Sequence, residues 1–538
     1  MTSVERIPVL VVGGGMVGLS AALLLEYHGV PYVLVERRVS PSPLPRSRGI
    51  HTRTMEIYRQ LGLESEIQRA AATVLKAGAF GGAWQGASVR TAEPLDLTGS
   101  GFVAGHLTPD ASPSRFAFLP QVVLEPLLTE RIREHGGQLR LGVECVDLAV
   151  DSDGVTATLR EGEALSRLRA DYVIAADGAN SPIRRALGIG GRELPPNHHY
   201  VNVFARVDLT ELLDGRGFSQ CAVDNDRVRG LVLTKNNTDE WSFHIEYDPA
   251  AESPGDYPDE RCVELVRAMV GLPEVEVRIL ARSAWDTGTF VADDYHRGRV
   301  FLAGDAAHRH APWGGYGGNT GVSDAHNLVW KLAAVLAGTA DPALLDSYRT
   351  ERRPRAEVAV EQSRLGDKDL RTRYGVLTGN NAEEVARQLS TGAVMGRYRY
   401  DATGVPDHVT ELTGQIGTRL PHLWIDADET TSTLDLCGPG FALLVAGSAG
   451  QWRDAAARAQ RATGIDLALH ALPGVEWAEC TGLPQRGALL VRPDAHVAAR
   501  SDAGLSPAIL TDVLRELLGA ANQPAFEGNS RSTARVVP

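Results

Sequence analysis

The chain is poor in cysteine, with five in 538 residues, and the five (Cys145, Cys221, Cys262, Cys437 and Cys480) are scattered with no C-x-x-C pair. That spacing argues against a metal knuckle or a disulfide framework and fits reduced thiols in a cytoplasmic protein. No apolar run approaches the roughly 18 residues of a membrane span, and no charged-then-apolar leader precedes the first expected strand. A basic tail is also missing: 54 Lys and Arg against 67 Asp and Glu leave a net charge of −13. Nucleic acid and anionic membranes are poor partners for such a chain, and its acidity reads as solubility. No internal repeat is visible. What remains, 43% hydrophobic and 22% charged, is an ordinary globular profile. The length allows several domain-sized units around a large core.

Against these absences stand two glycine-rich turns. The first is Gly13-Gly14-Gly15-Met16-Val17-Gly18. It follows the apolar run Ile7–Val12, a buried strand by pattern, and enters a helix expected from Met16 to His28. The next strand, Tyr32–Glu36, completes a β-α-β unit. Gly13 permits the tight turn, Gly15 lets backbone approach a pyrophosphate, and Gly18 lets helix pack on strand. Glu36, with Arg37 beside it, can accept hydrogen bonds from a ribose and disfavours a 2′-phosphate. That pattern fits FAD or NAD.

The second turn separates them. A strand at Arg299–Ala303 ends in Gly304-Asp305-Ala306-Ala307-His308, and the run Gly314 to Asn319 then starts a helix. Asp305 can hold the hydroxyls of a ribityl chain. The helix start brings partial positive charge to a flavin ring edge. An NAD dehydrogenase needs no second anchor of this kind, so the cofactor expected is FAD. His308 and His310 are spaced as metal ligands can be, but no further ligand lies nearby except Asp305, and no metal is expected.

Between the turns the pattern changes. Gln121–His135 reads as an amphipathic helix whose start Pro126 pushes a few residues inward. Strands are expected at Gln138–Gly142, Val146–Val150, Val155–Leu159 and Asp171–Ala176, the last ending at Asp177-Gly178. Alternating segments at Val201–Val207, Arg229–Leu233 and Trp241–Tyr247 suggest antiparallel sheet. Helices follow Asp341. From Thr418 a small α/β pattern appears, with strands near Phe441–Ala446, Asp466–Leu472 and Gly487–Val491 and helices at Gln451–Thr463 and Pro507–Leu518.

Over residues 7 to about 360 the chain resembles the FAD-dependent aromatic hydroxylases, the class A flavoprotein monooxygenases. The likeness rests on the two turns, on Pro45-Arg46-Ser47-Arg48-Gly49-Ile50-His51, on Pro120-Gln121 with Leu124-Glu125, on Asp177-Gly178-Ala179-Asn180-Ser181, and on Asp324-Ala325-His326-Asn327-Leu328-x-Trp330-Lys331-Leu332. The C-terminal region resembles the thioredoxin-like domain of phenol and polyketide hydroxylases, through Thr433–Phe441 and Gly487–Asp494.

The resemblance implies an α/β fold in three parts. A Rossmann-like FAD-binding domain takes 1–75, 115–190 and 284–400. An inserted antiparallel-sheet substrate domain takes 76–114 and 191–283. A thioredoxin-like α/β domain without C-x-x-C takes 404–520, before a polar tail at 521–538. It also implies that Arg46 and Gln121 contact the flavin, that backbone near Val146 meets the adenine, and that Pro312 lies beside the ring, with Arg46 and Pro312 the candidates closest to the chemistry. Asp177, Gly178, Gly304, Asp305, Gly317, Gly318 and Asn319 join the cofactor set. Taken without the family, Arg46 reads equally as a solvated arginine and Gln121 as a capping or core residue.

The activity implied is hydroxylation of an aromatic, polycyclic polyketide-type substrate with O2 and NADPH or NADH, through a flavin C4a-hydroperoxide. No separate nicotinamide-binding fingerprint is visible, as in class A enzymes. A Baeyer–Villiger or ring-rearranging oxygenase, a flavin-binding accessory protein without turnover, and hydroxylation that inactivates an aromatic antibiotic stay open as rivals. Many relatives read His-Pro-Pro-Thr-Gly-Gly-Gln-Gly-Met-Asn where this chain has His310-Ala311-Pro312-Trp313-Gly314-Gly315-Tyr316-Gly317-Gly318-Asn319. Trp313 and Tyr316, with Gly315, are candidates to line the substrate space or to pack the loop. Trp285 is a further lining candidate, although an ordinary core or surface role is the stronger reading of it. The C-terminal domain is left with structural support or oligomer contact, which allows a homodimer.

Overall fold

The computed structural model describes residues 5–40, 47–74, 82–97, 111–401, 406–472 and 474–519. Arg46 and the polar tail at 521–538 lie outside the described residues. Among the described residues no helix is long and apolar enough to cross a membrane.

Among the described residues eight strands build the first sheet: its core runs Val300–Leu302, Ala164–Ala175, Glu5–Val12, Tyr32–Glu36 and Gln138–Leu141 with every neighbour parallel, and His296–Arg297, Gly154–Glu161 and Val143–Asp151 join it through antiparallel pairs. The central strands are continuous Val, Ile and Leu because helices cover the sheet. The glycine turn feeds helix α1 (Met16–Tyr27), and α2 (Thr52–Gln60) and α3 (Gln121–Glu134) follow. Two long helices close the unit, α4 (Tyr316–Leu336) and α5 (Ser347–Leu365). Helix α4 approaches the first turn at glycine: a Cβ on Gly321 would stand 2.5 Å from Val17 Cγ2 and 2.8 Å from Gly304 Cα.

Pro126 does not delay α3, which starts at Gln121 with Pro126 inside it. The first turn is anchored from outside: the Gln121 N–H donates to the Ser47 carbonyl at 2.7 Å, and Val123 and Leu124 donate to that of Pro120. That anchoring offsets the backbone bond Pro126 cannot make.

The second sheet runs Arg278–Asp286, His199–Arg206, Glu240–Tyr247, Arg229–Thr234, Gln220–Asp224, Ala83–Gly86 and Glu93–Pro94. Its last two strands come from the 76–114 part of the inserted domain, and Arg278–Asp286 stays in this sheet beyond the expected return at 284. Alternation sorts its faces. Val203, Trp241 and Phe243 pack outward under the helix Asp259–Val270. Asn202, His244 and Ser283, cross-strand partners in register, share the opposite face.

The third sheet, in the order Leu467–Leu472, Phe441–Ala446, Ala488–Val491 and Val497–Arg500, has one parallel and two antiparallel pairs. The strand Val497–Arg500 and a short helix at Val475–Thr481 were not foreseen. One face, with Trp452, Leu490 and Leu514, closes over Trp330 of α4 and Leu344. At that seam Arg492 pairs with Glu351 and Asp494, Lys331 Nζ lies 2.8 Å from Glu351, and Arg53 donates to the Asp494 carbonyl at 2.8 Å, all of them buried.

Candidate active site

A cavity of about 1480 Å3 runs from the first glycine turn, past Asp305 and Pro312, to the inner face of the second sheet. Sites for one small ligand are commonly about 300–1,000 Å3, so this one has room for a dinucleotide and a second ligand end to end.

At the first end, Gly13, Gly15, Met16, Val17, Glu36 and Arg37 line the wall. Gly13 holds φ +113°, and a Cβ there would stand 2.2 Å from the Ala176 carbonyl oxygen; one on Gly15 would meet only Glu125 Oε1, at 3.5 Å. The open surface at Gly15 is the one a pyrophosphate needs. No side chain caps α1, but the Met16 N–H is taken by Glu125 Oε1 at 3.1 Å. Glu125 also accepts from the Gln121 amide, at 2.5 Å, and burial raises its pKa. Glu36 reaches the wall already held by two backbone donors, Gly14 N–H at 2.7 Å and Arg38 N–H at 2.9 Å. A carboxylate has about four lone-pair sites, so capacity for a ribose remains.

Midway, Gln121, Asp177, Gly178, Asp305, Pro312, Gly315, Gly317 and Gly318 line the same cavity. The strand Val300–Leu302 and the left-handed turn at Gly304 (φ +60°) bring Asp305 there; a Cβ on Gly304 would strike Val17 Cγ2 at 2.8 Å. Asp177 Oδ1 is buried without a partner among the described residues, and burial raises the Asp177 pKa. His310 is half-buried, with both ring nitrogens shielded from solvent and unpartnered in the same sense, and desolvation with His308 beside it keeps it neutral. Helix α4 opens on the wall with Gly315 as its N-cap and no side chain capping it, so its first N–H groups are available to a ligand. An open glycine cradle, an unpaired carboxylate oxygen and an uncapped helix start, set along one channel, fit an extended dinucleotide carrying a flavin ring.

Several residues expected at the cofactor stand behind the wall instead. Gly18 packs on the first turn, where a Cβ would lie 1.9 Å from the Gly13 carbonyl oxygen. Val146 sits at a register shift in its strand, 40% exposed, and its neighbours Glu144 and Cys145 form the wall. Asn319 is fully buried as a clamp: its amide donates to the Gly49 and Gly315 carbonyls and accepts from the His51 N–H. His308 is engaged by Asp324, at 2.6 Å, which also takes Arg352 at 2.8 Å and the Gly304 N–H at 3.1 Å.

The far end is aromatic. Trp285 stacks on Tyr200 with centroids 4.7 Å apart and donates its indole N–H to His244 Nδ1 at 3.1 Å. Trp313 lies 6.4 Å from Trp285, and the Arg373 guanidinium covers its ring at 3.3 Å. Trp285 and Trp313 line the chamber; Tyr316 does not. Left-handed Gly314 and Gly315 turn the chain, so the Tyr316 ring packs with Ala359, Val394 and Met395 and its hydroxyl meets Thr391. The sequence reading missed Arg48, Asn202, His244, Arg373 and Tyr374 on this wall. Period-two alternation marks Asn202 and His244 as one face of the sheet, but nothing local assigns that face to a cavity. Burial holds His244 neutral, its pKa lowered to about 3.

Comparison with known proteins matches this geometry. A family model described as an FAD binding domain covers residues 6–363, and one described as the C-terminal region of aromatic-ring hydroxylases covers 413–521. The tetracenomycin A2 monooxygenase-dioxygenase of Streptomyces glaucescens is 35% identical, over 98% of this chain and 100% of its own length. The 4-methyl-5-nitrocatechol 5-monooxygenase of a Burkholderia species is 36% identical, over 95% of this chain and 98% of its own. Among solved structures, a ternary complex of aklavinone-11 hydroxylase with FAD and aklavinone superposes with a TM-score of 0.85 at 32% identity, covering 96% of this chain and 100% of that one. Dinucleotide cradle, helix start and aromatic chamber sit in one continuous cavity, and the relatives match it over nearly their whole length: the chain belongs to the FAD-dependent aromatic-ring hydroxylases.

Proposed function

We propose that the chain hydroxylates an aromatic polycyclic, polyketide-type substrate, using O2 and NADPH or NADH. The observation that carries this reading is the cavity's two-part build, with the glycine cradle at one end and the Trp285–Trp313 chamber at the other. FAD, when bound, supplies hydride acceptance from the nicotinamide and activation of oxygen. The residues present do the rest. Gly13 to Val17 and Glu36 hold the adenosine and pyrophosphate portion. Asp305 and the open end of α4 hold the ribityl chain and the polar edge of the flavin ring. Pro312 and Gly315 bring backbone against that ring, and Trp285 and Trp313 shape a flat space beyond it. Those indoles exclude water, which protects a reactive oxygen species from side reaction. His244, neutral, fixes the Trp285 indole rather than exchanging protons.

The relatives at near-complete coverage act, by name, on a tetracenomycin, a nitrocatechol and an aklavinone, all aromatic and two of them polyketides. Sheet membership supports the three-part division of the chain, with five free cysteines in keeping with a cytoplasmic location. A homodimer remains part of the proposal. The test is a panel of polycyclic phenols and quinones given to FAD-loaded protein with NADPH or NADH and labelled O2. The expected result is substrate-dependent nicotinamide oxidation and a product carrying one labelled oxygen on a ring carbon. Ring opening to a lactone would replace hydroxylation with Baeyer–Villiger chemistry. FAD binding with no substrate-dependent oxidation would leave an accessory role.

A further inference from the structure

The inner face of the second sheet carries a cross-strand row whose character changes along its length. Ser283, Asn202 and His244 stand opposite one another on three adjacent strands, and the row continues through Leu231 to Ala222. Leu231 and Ala222 pack with Ala311, Trp313 and Trp285, so that end is apolar. The polar end lines the chamber. Asn202 and His244 are only 7% and 8% exposed, yet Asn202 Oδ1 and His244 Nε2 have no partner among the described residues.

The His244 ring is held in place edge-on to Trp285 and Tyr200, with centroids 5.3 and 6.2 Å away. Its tautomer is held as well. An indole N–H can only donate, so Nδ1, which takes the Trp285 N–H at 3.1 Å, is an acceptor. A neutral ring then carries its one proton on Nε2, and burial beside the Arg48 charge keeps the ring neutral. The wall therefore holds one donor and one acceptor, both fixed and both unspent. A buried polar atom left unpaired costs free energy that a ligand with the matching group recovers.

We propose that His244 and Asn202 form an uncharged subsite for the oxygenated edge of the substrate, where His244 Nε2–H donates to a ring carbonyl oxygen and Asn202 Oδ1 accepts from a nearby un-ionised hydroxyl. This rests on the chamber being the substrate site of the hydroxylase. It narrows the class to fused aromatics that carry a ketone or quinone oxygen and a hydroxyl on one edge. Facing residues on paired strands hold their Cβ atoms about 4.5–5.5 Å apart, which suits two oxygens carried on adjoining rings. The apolar end of the row gives the subsite a direction. Turned end for end, the polycycle would set its carbonyl toward Leu231 and leave both polar atoms unpaired. The row thus selects which end of the substrate is presented for reaction.

Three planar probes that do not ionise test this: anthracene, 9,10-anthraquinone and 2-(hydroxymethyl)anthraquinone. Each is titrated into FAD-loaded protein and followed by the change in flavin absorption. Anthracene should bind most weakly and the hydroxymethyl compound most tightly. His244→Phe should weaken both quinones about tenfold and spare anthracene, and Asn202→Leu should weaken the hydroxymethyl compound about tenfold and spare the other two. His244→Gln should restore part of the anthraquinone binding, because its amide oxygen can take the Trp285 N–H while its own N–H meets the carbonyl. A purely structural role would weaken all three probes alike in each variant, and that result overturns the proposal. Infrared difference spectra with carbonyl-labelled anthraquinone give an independent reading. The bound carbonyl band should lie below its position in an apolar solvent and move back up in His244→Phe. A band at the apolar position in the unaltered protein overturns the assignment without needing any variant. Neither measurement depends on turnover, so a failed NADPH or NADH assay would sink the hydroxylase reading and leave this one standing.

Discussion

At Gly18 a Cβ would stand 1.9 Å from the Gly13 carbonyl oxygen, whereas at Gly15 it would meet only Glu125 Oε1, 3.5 Å away. Two glycines of one fingerprint therefore answer the same substitution differently. Gly18→Ala should lose on the order of 3 kcal/mol or more in unfolding experiments, since the clash is with backbone and cannot be relieved by a rotamer. Gly15→Ala should leave the Tm of the FAD-free protein within about 2 °C and weaken FAD uptake about tenfold, measured by flavin fluorescence quenching. Asp305→Ala belongs with Gly15: FAD retention falls while the circular dichroism spectrum is kept, and an unchanged FAD affinity would move the ribityl site elsewhere. His244 reports on pH. Its pKa is lowered from 6.5 to about 3 by burial, so the unfolded chain binds the extra proton between those values. Stability thus rises with pH across that window and is lost on acidification, with about 2 kcal/mol gone by pH 5 from this one residue. Denaturant titrations at pH 5 and pH 7 measure the slope, and His244→Gln should flatten it. Glycine roles were legible in sequence because a Rossmann turn imposes them locally. The histidine was not, because its burial depends on strands 40 residues apart.

Helix α4 shows where reading by element stops. Its amphipathic run and its family-like segment Asp324–Leu332 are plain in the sequence, yet the segment faces away from the cofactor. Asp324 ties the helix to Gly304 N–H, His308 and Arg352, and Asn327 and Lys331 reach Glu351 on α5, at 2.5 and 2.8 Å. Those partners lie 16 to 28 residues away along the chain, while Arg492 joins Glu351 from 141 residues away and Asp494 joins Asn327 from 167. No periodicity encodes such pairings. Glu351→Ala leaves Lys331 buried without its carboxylate and Arg492 with Asp494 alone, and chemical denaturation should register a loss of about 3–5 kcal/mol. Tyr316 teaches the same point on a smaller scale. It is an aromatic residue in a cofactor loop, but the helix begins at that residue and carries its ring to the far side.

Across the whole molecule, the third sheet is the back wall of the first unit. Trp330 and Leu344 belong to the cofactor-binding half but lie in the same core as Trp452, Leu490 and Leu514. A chain ending at residue 405 would expose that face together with Glu351 and Lys331. It should be recovered as insoluble protein or without flavin absorbance, and a soluble yellow truncation would show that the seam is dispensable. The three-part architecture was readable from sequence because composition and strand pattern change at each junction. The seam was not, since its two sides are written more than a hundred residues apart. The Arg492–Glu351 contact also sets an order of synthesis. A ribosome that has finished residue 363 has made every segment of the FAD binding region, yet the residues that neutralise its rear surface emerge only near 494. Cofactor loading is therefore expected only after the residues near 494 have left the ribosome.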